Sequence, residues 1–273
     1  TQENAAKLRL RGHHIIAPGE GLLACGTTGP GRLPEPEQIA DEVIRVAHPK
    51  RDLEGEVVVI TAGPTQEALD PVRFISNRSS GKMGYSLADA AATRGAKVVL
   101  VSGPVTLPPP AHVEVVKVRT AREMREAVLA HLPPATVIIK SAAVADYHLE
   151  HVPEQKVKKT AMRMSIELSP TPDILAEVGQ KKGDRLLVGF AAETENLVAE
   201  ARRKMETKNC DMVVGNLVSQ QGIGFESEEN EVVLVTRGGE TIKLGKASKR
   251  VIADQILDHV MKLRLAMHES VKP

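Results

Sequence analysis

The chain has 273 residues, with 36 Lys and Arg against 35 Asp and Glu for a net charge of +1, so no whole-molecule field draws it to nucleic acid or to an acidic membrane surface. Apolar residues make up 42% and charged residues 26%, the balance of an ordinary globular protein, and there is no run of about 18 apolar residues to form a membrane helix. Three Phe, two Tyr and no Trp exclude stacking platforms for single-stranded nucleic acid, and Cys25 and Cys210 make neither a metal spacing nor a disulfide framework, which suits a reducing, cytoplasmic compartment.

Residues 1–56 read unlike the rest: a short helix, a short apolar piece, a Gly/Pro-rich loop containing ACGTTGPGR, and an amphipathic helix, without the strands for a core of their own. The chain opens on Thr1 with no signal-peptide pattern, as a piece of a longer protein would. The charged stretch 49–55 reads as a linker. It separates a segment at 1–48 from a main domain at 56–266, with a tail at 267–273.

From Val57 onward, strand and helix alternate. VVVITAG (57–63) is a continuous apolar strand of the parallel-sheet kind, and SGKMGYSLADAAATRG (80–95) is a helix closed by a terminal Gly. A strand at 96–104 follows, then a proline-rich turn, a short strand HVEVVKV, and a helix whose Thr120 and Glu123 form a capping box. TVIIKSAAV (136–144) is the third core strand. A long polar loop with a basic cluster, KVKK at 156–159, precedes the strand MSIELSP and a helix capped by Thr171 with Pro172 at its first position. RLLVGFAAET (185–194) is a further core strand, the next helix carries Lys204 and Lys208 one turn apart, and CDMVVGNLV (210–218) is the last buried strand. EVVLVTRGGETIKLG reads as a hairpin on its GG turn, and a helix from Ser248 to about Ala266 closes the chain. The pattern predicts a Rossmann-like, doubly wound, mostly parallel sheet with helices on both faces and a small C-terminal β-hairpin.

Four places in this frame carry chemistry, and each also has a plainer reading. NRSSGKMG (77–84) sets backbone N–H groups, two serines and glycines at a helix start, where an anion can approach closely; the same residues would serve a capped, closely packed helix. SAAVADY (141–147) ends a core strand in small side chains that leave room for a ring or ribose, and Asp146 can accept from a hydroxyl or hold a cation; it can also cap a turn. The KVKK loop can neutralise a polyphosphate, Lys156 above all, or be a solvated face. Lys204 and Lys208 share one face of a charged helix, which by itself marks an exposed surface. Cys25, flanked by Gly on a loop, has no base beside it in the sequence. The nine His form no metal pattern and no GxSxG elbow occurs, so zinc-enzyme and hydrolase readings drop out.

Taken together, ITAGPTQEALDPVRFISNRSSGKMG, KSAAVADY, the KVKK loop, TPDIL and VGFAAET resemble bacterial phosphopantothenate-cysteine ligase, from about Gly55 to about Leu263. Residues 1–48 are similar to the carboxyl-terminal end of the flavin-dependent decarboxylase that is fused ahead of this ligase in many bacteria, with ACGTTGPGR resembling its cysteine flap. The resemblance implies that the carboxylate of 4'-phosphopantothenate attacks the α-phosphate of CTP with Mg2+ present, and that L-cysteine then displaces CMP from the acyl-cytidylate. By the same resemblance, Asn77 contacts the acyl intermediate and Lys156 is needed to form it. Gly63, Ser79, Gly81 and Gly84 match the phosphate loop. Lys140, Ser141, Ala142, Asp146, Lys156, Pro172, Asp173, Ile174, Leu175, Phe190, Lys204 and Lys208 match the nucleotide site, with Asp146 beside ribose and metal. It further implies a homodimer, a higher oligomer when fused to the full decarboxylase, and a role for Cys25 and FMN only in a parent that carries the flavin domain.

Two other readings of the residues remain. A nicotinamide-dependent reductase shares this architecture, but GPTQEA after the first strand is not GxGxxG, and Tyr147 is followed four residues on by His151 rather than Lys. A non-catalytic nucleotide-binding module would bind CTP without turnover. The residues by themselves do not choose CTP over ATP; the resemblance favours CTP.

Overall fold

The computed structural model describes every residue except 1, 17, 23–25, 35, 48–49, 158–165, 194, 218–226 and 270–273. It divides into two compact units, Thr1–Arg51 and Asp52–Pro273. The first holds α1 (Gln2–Leu10), β1 (Gly19–Leu22), β2 (Thr28–Arg32) and α2 (Pro36–Ala47). The expected Gly/Pro-rich loop is therefore largely an antiparallel hairpin, β1 against β2. Its strands, GEGL and TGPGR, lack the apolar alternation that marks a strand in sequence.

The second unit runs β3 (Val57–Ala62), β4 (Gln66–Ala68), β5 (Phe74–Ser76), α3 (Lys82–Thr93), β6 (Lys97–Ser102), β7 (Val113–Lys117), α4 (Ala121–His131) and β8 (Val137–Lys140). It continues through β9 (Tyr147–His148), β10 (Ser169–Pro170), α5 (Ile174–Lys181), β11 (Leu186–Glu193), α6 (Leu197–Thr207), β12 (Met212–Leu217), β13 (Glu229–Thr236), β14 (Thr241–Ser248) and α7 (Lys249–Glu269). Leu53, inside the stretch read as a linker, is fully buried in this unit.

Eight of the described strands form one sheet in the order β7-β6-β3-β8-β11-β12-β13-β14. The strands from β7 to β12 are parallel to their neighbours, and β13 and β14 add antiparallel at the edge. In chain order the parallel strands lie third, second, first, fourth, fifth, sixth, which is the doubly wound arrangement with its switch point between β3 and β8. The C-terminal hairpin is part of this sheet, paired to β12.

The pleat of β3 explains the two layers. Val58, Ile60 and Ala62 face one way, into a core with α3 (Leu87, Ala88, Ala91) and α7 (Ile252, Ile256, Val260). Val59 faces the other way, toward Met124 and Val128 of α4, Ile174 and Val178 of α5, and Ala201 and Met205 of α6. On the first face Arg94, 3% exposed, joins the end of α3 to Asp52 at 2.6 Å and to Asp258 of α7 at 2.9 Å.

One local expectation holds and two change. Helix α4 has the capping box at Thr120 and Glu123 in full. Helix α5 instead starts at Ile174: Asp173, not Thr171, is its cap, accepting from the Ala176 N–H at 2.9 Å. Thr171 donates its hydroxyl to the Ala145 carbonyl at 2.6 Å, a tertiary tie that outcompetes capping. Of the expected strand MSIELSP, the described part in strand form is Ser169–Pro170, paired to β9.

Candidate active site

The loops after β3 and β8 are zipped together at the switch point. Ala143 donates its N–H to the Gly63 carbonyl at 2.9 Å, and the Thr65 hydroxyl accepts from the Ala145 N–H at 3.0 Å. Ser141 donates its hydroxyl to the Thr61 carbonyl at 2.6 Å. The Asn77 amide crosses between the loops, donating to the Val144 carbonyl at 2.9 Å. These bonds hold open a cleft of about 770 Å³, within the range of small-molecule and nucleotide sites.

The α3 amino terminus forms one wall. Its cap residue, Gly81, has φ of +74° and offers no side chain to the first turn; the Ser80 hydroxyl accepts from the Lys82 N–H there at 3.5 Å, a long contact that an anion at a helix start can displace. Ser79 and Ser80 curl over it: the Ser79 hydroxyl accepts from the Gly81 N–H at 3.3 Å. A Cβ on Gly81 would meet Val105 at 2.8 Å, and one on Gly84 would meet Ala62 Cβ at 2.5 Å and the Ser141 hydroxyl at 2.8 Å. Gly84 therefore lets α3 lie directly on β3 and β8, which brings its amino end into the cleft.

Cations gather in the same cleft. Lys140 at the end of β8, Lys204 of α6 and Lys208 just past α6 all line the cleft with Asp146, Asp173, Phe190 and Glu193. Burial, then repulsion from Lys204, pushes the Lys140 amine down to about 8, against the pull of Asp173 and Asp146. Burial also lowers Lys204, whose ammonium donates to the Phe190 carbonyl at 2.8 Å. Lys208 bonds the Asp173 carboxylate at 2.7 Å. Burial raises Asp173, but the Lys208 bond and the Ala176 N–H outweigh it, and the carboxylate ends below its ordinary range. Two lysines that look like a solvated helix face in sequence thus point inward, because α6 packs its Ala201 and Met205 face on the sheet beside them.

The cleft brings together Asn77, Ser79, Gly81, Gly84, Lys140, Ser141, Ala142, Asp146, Pro172, Asp173, Ile174, Leu175, Phe190, Lys204 and Lys208. Two expected residues are not among its lining. Gly63 is buried against Gly103 and Val105. Lys156 is exposed on the loop beside β4–β5, where its neighbour Val157 is tied to Asp70 and Arg73. Cys25, Lys158 and Lys159 lie outside the described residues. Cys210 is buried and its thiol is pushed up to about 12 by burial, which leaves it inert.

Sequence reasoning missed Asn216, Asn230 and Lys249, which also line the cleft, and gave Lys82 of NRSSGKMG no role of its own. No motif joins the first three; the pairing of β13 to β12 brings Asn230 beside the strand of Asn216. Among the described residues no three His, Cys, Asp or Glu side chains gather to hold a metal ion. Asp146, exposed at the cleft, fits a hard divalent cation that takes its other ligands from phosphate oxygens and water, as Mg2+ does. No described helix is long and apolar enough to cross a membrane.

Residues 53–263 match the family model of the DNA/pantothenate metabolism flavoprotein C-terminal domain. The chain is 45% identical over 265 residues to the coenzyme A biosynthesis bifunctional protein CoaBC of Bacillus subtilis (strain 168), covering 96% of this chain and 65% of that relative. It thus spans just under two thirds of the length of that protein. Among solved structures, the C-terminal domain of a CoaBC superposes with a TM-score of 0.68 at 42% identity, covering 78% of this chain and 98% of the other. A Cab2 mutant in complex with phosphopantothenate-cysteine superposes at 0.67 with 20% identity, over 88% of this chain and 97% of that one, a likeness of fold alone.

Proposed function

This chain belongs to the DNA/pantothenate metabolism flavoprotein C-terminal domain family, and we propose that it is a CTP-dependent ligase that joins 4'-phosphopantothenate to L-cysteine through an acyl-cytidylate. The observation that carries this reading is the convergence, in one cleft at the switch point, of the α3 amino terminus with Lys140, Lys204 and Lys208. A helix end and three lysines lining one cleft suit a polyphosphate. Phosphopantothenate-cysteine, the compound bound by the Cab2 structure, is the product such a ligase would make.

A carboxylate is a poor electrophile, so the reaction needs activation first. In the first step a carboxylate oxygen of the acid attacks the α-phosphorus, the α–β bridging bond breaks and pyrophosphate leaves. The α3 amino end with Ser79 and Gly81 holds phosphate oxygens, while Lys140, Lys204 and Lys208 offset their charge and Pro172–Leu175 with Phe190 seat the nucleoside. Lys156 supplies a positive charge to the phosphoryl group in flight. In the second step the cysteine amine attacks the acyl carbon, the bond to the cytidylate oxygen breaks, CMP leaves and the amine loses a proton. Asn77, fixed on the Val144 carbonyl, orients the acyl group for that attack. Asp146 would hold Mg2+, which would supply charge neutralisation on the phosphates.

The same reading includes a homodimer. Val72, Phe74, Tyr147, Val157, Ile166 and Leu168 are exposed apolar side chains on the segments around β4–β5 and β9–β10, the composition of a surface that is covered. Sedimentation at micromolar concentration checks it.

The activity is tested by incubating the chain with 4'-phosphopantothenate, CTP, Mg2+ and cysteine. Release of pyrophosphate and CMP in equal amounts is expected; release of neither sinks the reading. A parallel NADPH titration separates the reductase alternative, and CTP binding without turnover would identify a nucleotide-binding module.

A further inference from the structure

A second cavity, of about 440 Å³, sits at the carboxyl ends of β6 and β7 and shares no lining residue with the cleft. Tyr85, Ser102, Val105, Leu107, Lys117 and Arg119 are among its walls. The ends of parallel strands are where open α/β sheets take ligands, and the volume is that of a small-molecule site. A thin wall divides it from the cleft. The loop after β3 lies so close on the end of β6 that a Cβ on Gly103 would fall 1.7 Å from the Pro64 carbonyl oxygen, and Val105 packs against Gly63 and Gly81.

The lining holds two cations, Lys117 and Arg119, and no carboxylate. Among the described residues neither side chain makes a hydrogen bond or an ion pair. Their backbone is fixed: Val118 donates its N–H to the Ser102 carbonyl at 2.9 Å, and the Arg119 carbonyl accepts the Gln66 N–H at 2.8 Å. Residues two apart on an extended chain project to one side, which sets both charges at this cavity. Ser102, 2% exposed, donates its hydroxyl to the Gly103 carbonyl at 2.9 Å, so the 3.0 Å bond between the Tyr85 and Ser102 hydroxyls is donated by Tyr85. Pro104, Val105, Leu107 and Pro109 make the rest of the wall apolar. Uncompensated positive charge beside an apolar pocket calls for a ligand with an anionic end and an apolar body.

We propose that this cavity binds a small organic anion, a phosphate or carboxylate on an apolar body, and that its occupancy tightens nucleotide binding in the cleft. Lys117 and Arg119 take the anionic group, and Leu107, Pro109 and the Tyr85 ring enclose the body. Val105 is the link. Its Cγ1 would stand 2.8 Å from a Cβ on Gly81 and 2.9 Å from one on Gly63, so it props the turn that starts α3. An occupant fills the space into which Val105 could otherwise withdraw, and the nucleotide then meets a preorganised helix end. The coupling rests on the reading of the α3 start as a phosphate site; the cavity's own ligand chemistry does not.

Phenyl phosphate is the probe, titrated calorimetrically into the full chain with the cleft saturated by CTP and Mg2+. A Kd of about 1 mM or below is expected, with inorganic phosphate and benzyl alcohol each about tenfold weaker or more, since each offers half of the recognition. Replacing both cations, Lys117→Gln with Arg119→Gln, should raise the phenyl phosphate Kd about tenfold or more, the worth of roughly one charge-assisted contact, and leave the CTP Kd alone. Saturating phenyl phosphate should lower the CTP Kd about threefold, the reciprocal effect that linkage requires. Val105→Ala should keep phenyl phosphate binding and lose that shift. No saturable binding up to about 10 mM, binding unchanged in the double variant, a CTP Kd that does not fall, or a shift that survives in Val105→Ala would each overturn the proposal. The double variant alters only exposed side chains, so the test stands if Val105→Ala does not fold. A chain that binds no CTP fails the ligase reading instead, and loss of phenyl phosphate binding in the double variant still decides the cavity.

Discussion

The carboxylate of Asp70 accepts the backbone N–H of Val157 at 3.2 Å, across 87 residues of chain. Asp70 has a fully buried side chain and also takes hydrogen bonds from the Val72 and Arg73 N–H groups and from the Arg73 guanidinium. The Arg73 guanidinium first, then the Val72 N–H, hold its carboxyl well below the usual carboxylate range. The β4–β5 turn therefore clamps the root of the lysine loop, one residue from Lys156.

That clamp gives a prediction. Asp70→Asn keeps the shape but loses the charge that draws Arg73 and Val157 together. Misplacing a reacting group by about 1 Å can cost roughly a hundredfold in rate. Pyrophosphate release should slow by about tenfold or more, while CMP release from intermediate already formed should hold. Equal slowing of both steps would show that the clamp does not act through Lys156.

The Lys208–Asp173 ion pair joins the end of α6 to the start of α5 inside the cleft. Lys208→Met removes a cation from the phosphate side and leaves the Asp173 carboxylate unopposed. The KM for CTP should rise about tenfold or more, the worth of roughly one charge-assisted hydrogen bond, with the KM for cysteine unmoved. Isothermal titration with CTP checks the same loss directly.

Lys140 titrates near 8 rather than at its ordinary 10.5, so between those values the empty cleft has lost a proton that the unfolded chain keeps. The unfolded state then binds more protons, and this group's unfavourable contribution to stability, fully present below pH 8, is relieved as pH rises from about 8 to 10.5. Nucleotide binding runs the other way, because phosphate favours the charged amine. At pH 8.5 CTP binding should take up protons, measured by calorimetry in buffers of different ionisation heat, and Lys140→Met should reduce the uptake. Equal uptake in both would assign it elsewhere.

Gly84→Ala tests the packing that aims α3. Its Cβ would sit 2.5 Å from Ala62 Cβ, and overpacking of this kind costs about 1–3 kcal/mol. A lower Tm with a raised KM for CTP is expected, because relief of the clash moves the helix end off the phosphates. A normal KM with lowered Tm would confine Gly84 to stability.

The buried strands were legible because β3, β6, β8, β11 and β12 are continuous apolar runs between two helical layers, and such runs need no partner to be recognised. The β1–β2 and β4–β5 hairpins were not, since three- to five-residue strands rich in Gly or polar residues owe their form to pairing and turns rather than to pattern. Pro172 suggested a helix start two residues early; the Thr171 bond to Ala145 holds that segment against the β8 loop and leaves Asp173 to cap. Lys204 and Lys208 were visible as a spacing but not as a site, because which face of α6 meets the cleft is decided by sheet order. Asn216, Asn230 and Lys249 had no signal at all, being brought to the cleft by the edge pairing of β13.

The central claim is that this cleft activates an acid as an acyl-cytidylate and then passes it to an amine, and Asn77 is the residue that divides the two steps. Asn77→Ala, quenched in acid during turnover with 4'-phosphopantothenate, CTP, Mg2+ and cysteine and analysed by mass spectrometry, is expected to accumulate the acyl-cytidylate, with pyrophosphate release running ahead of CMP by about a hundredfold in rate, the usual effect of losing one preorganised donor. Full wild-type turnover in that variant with no acyl-cytidylate in either protein would contradict it.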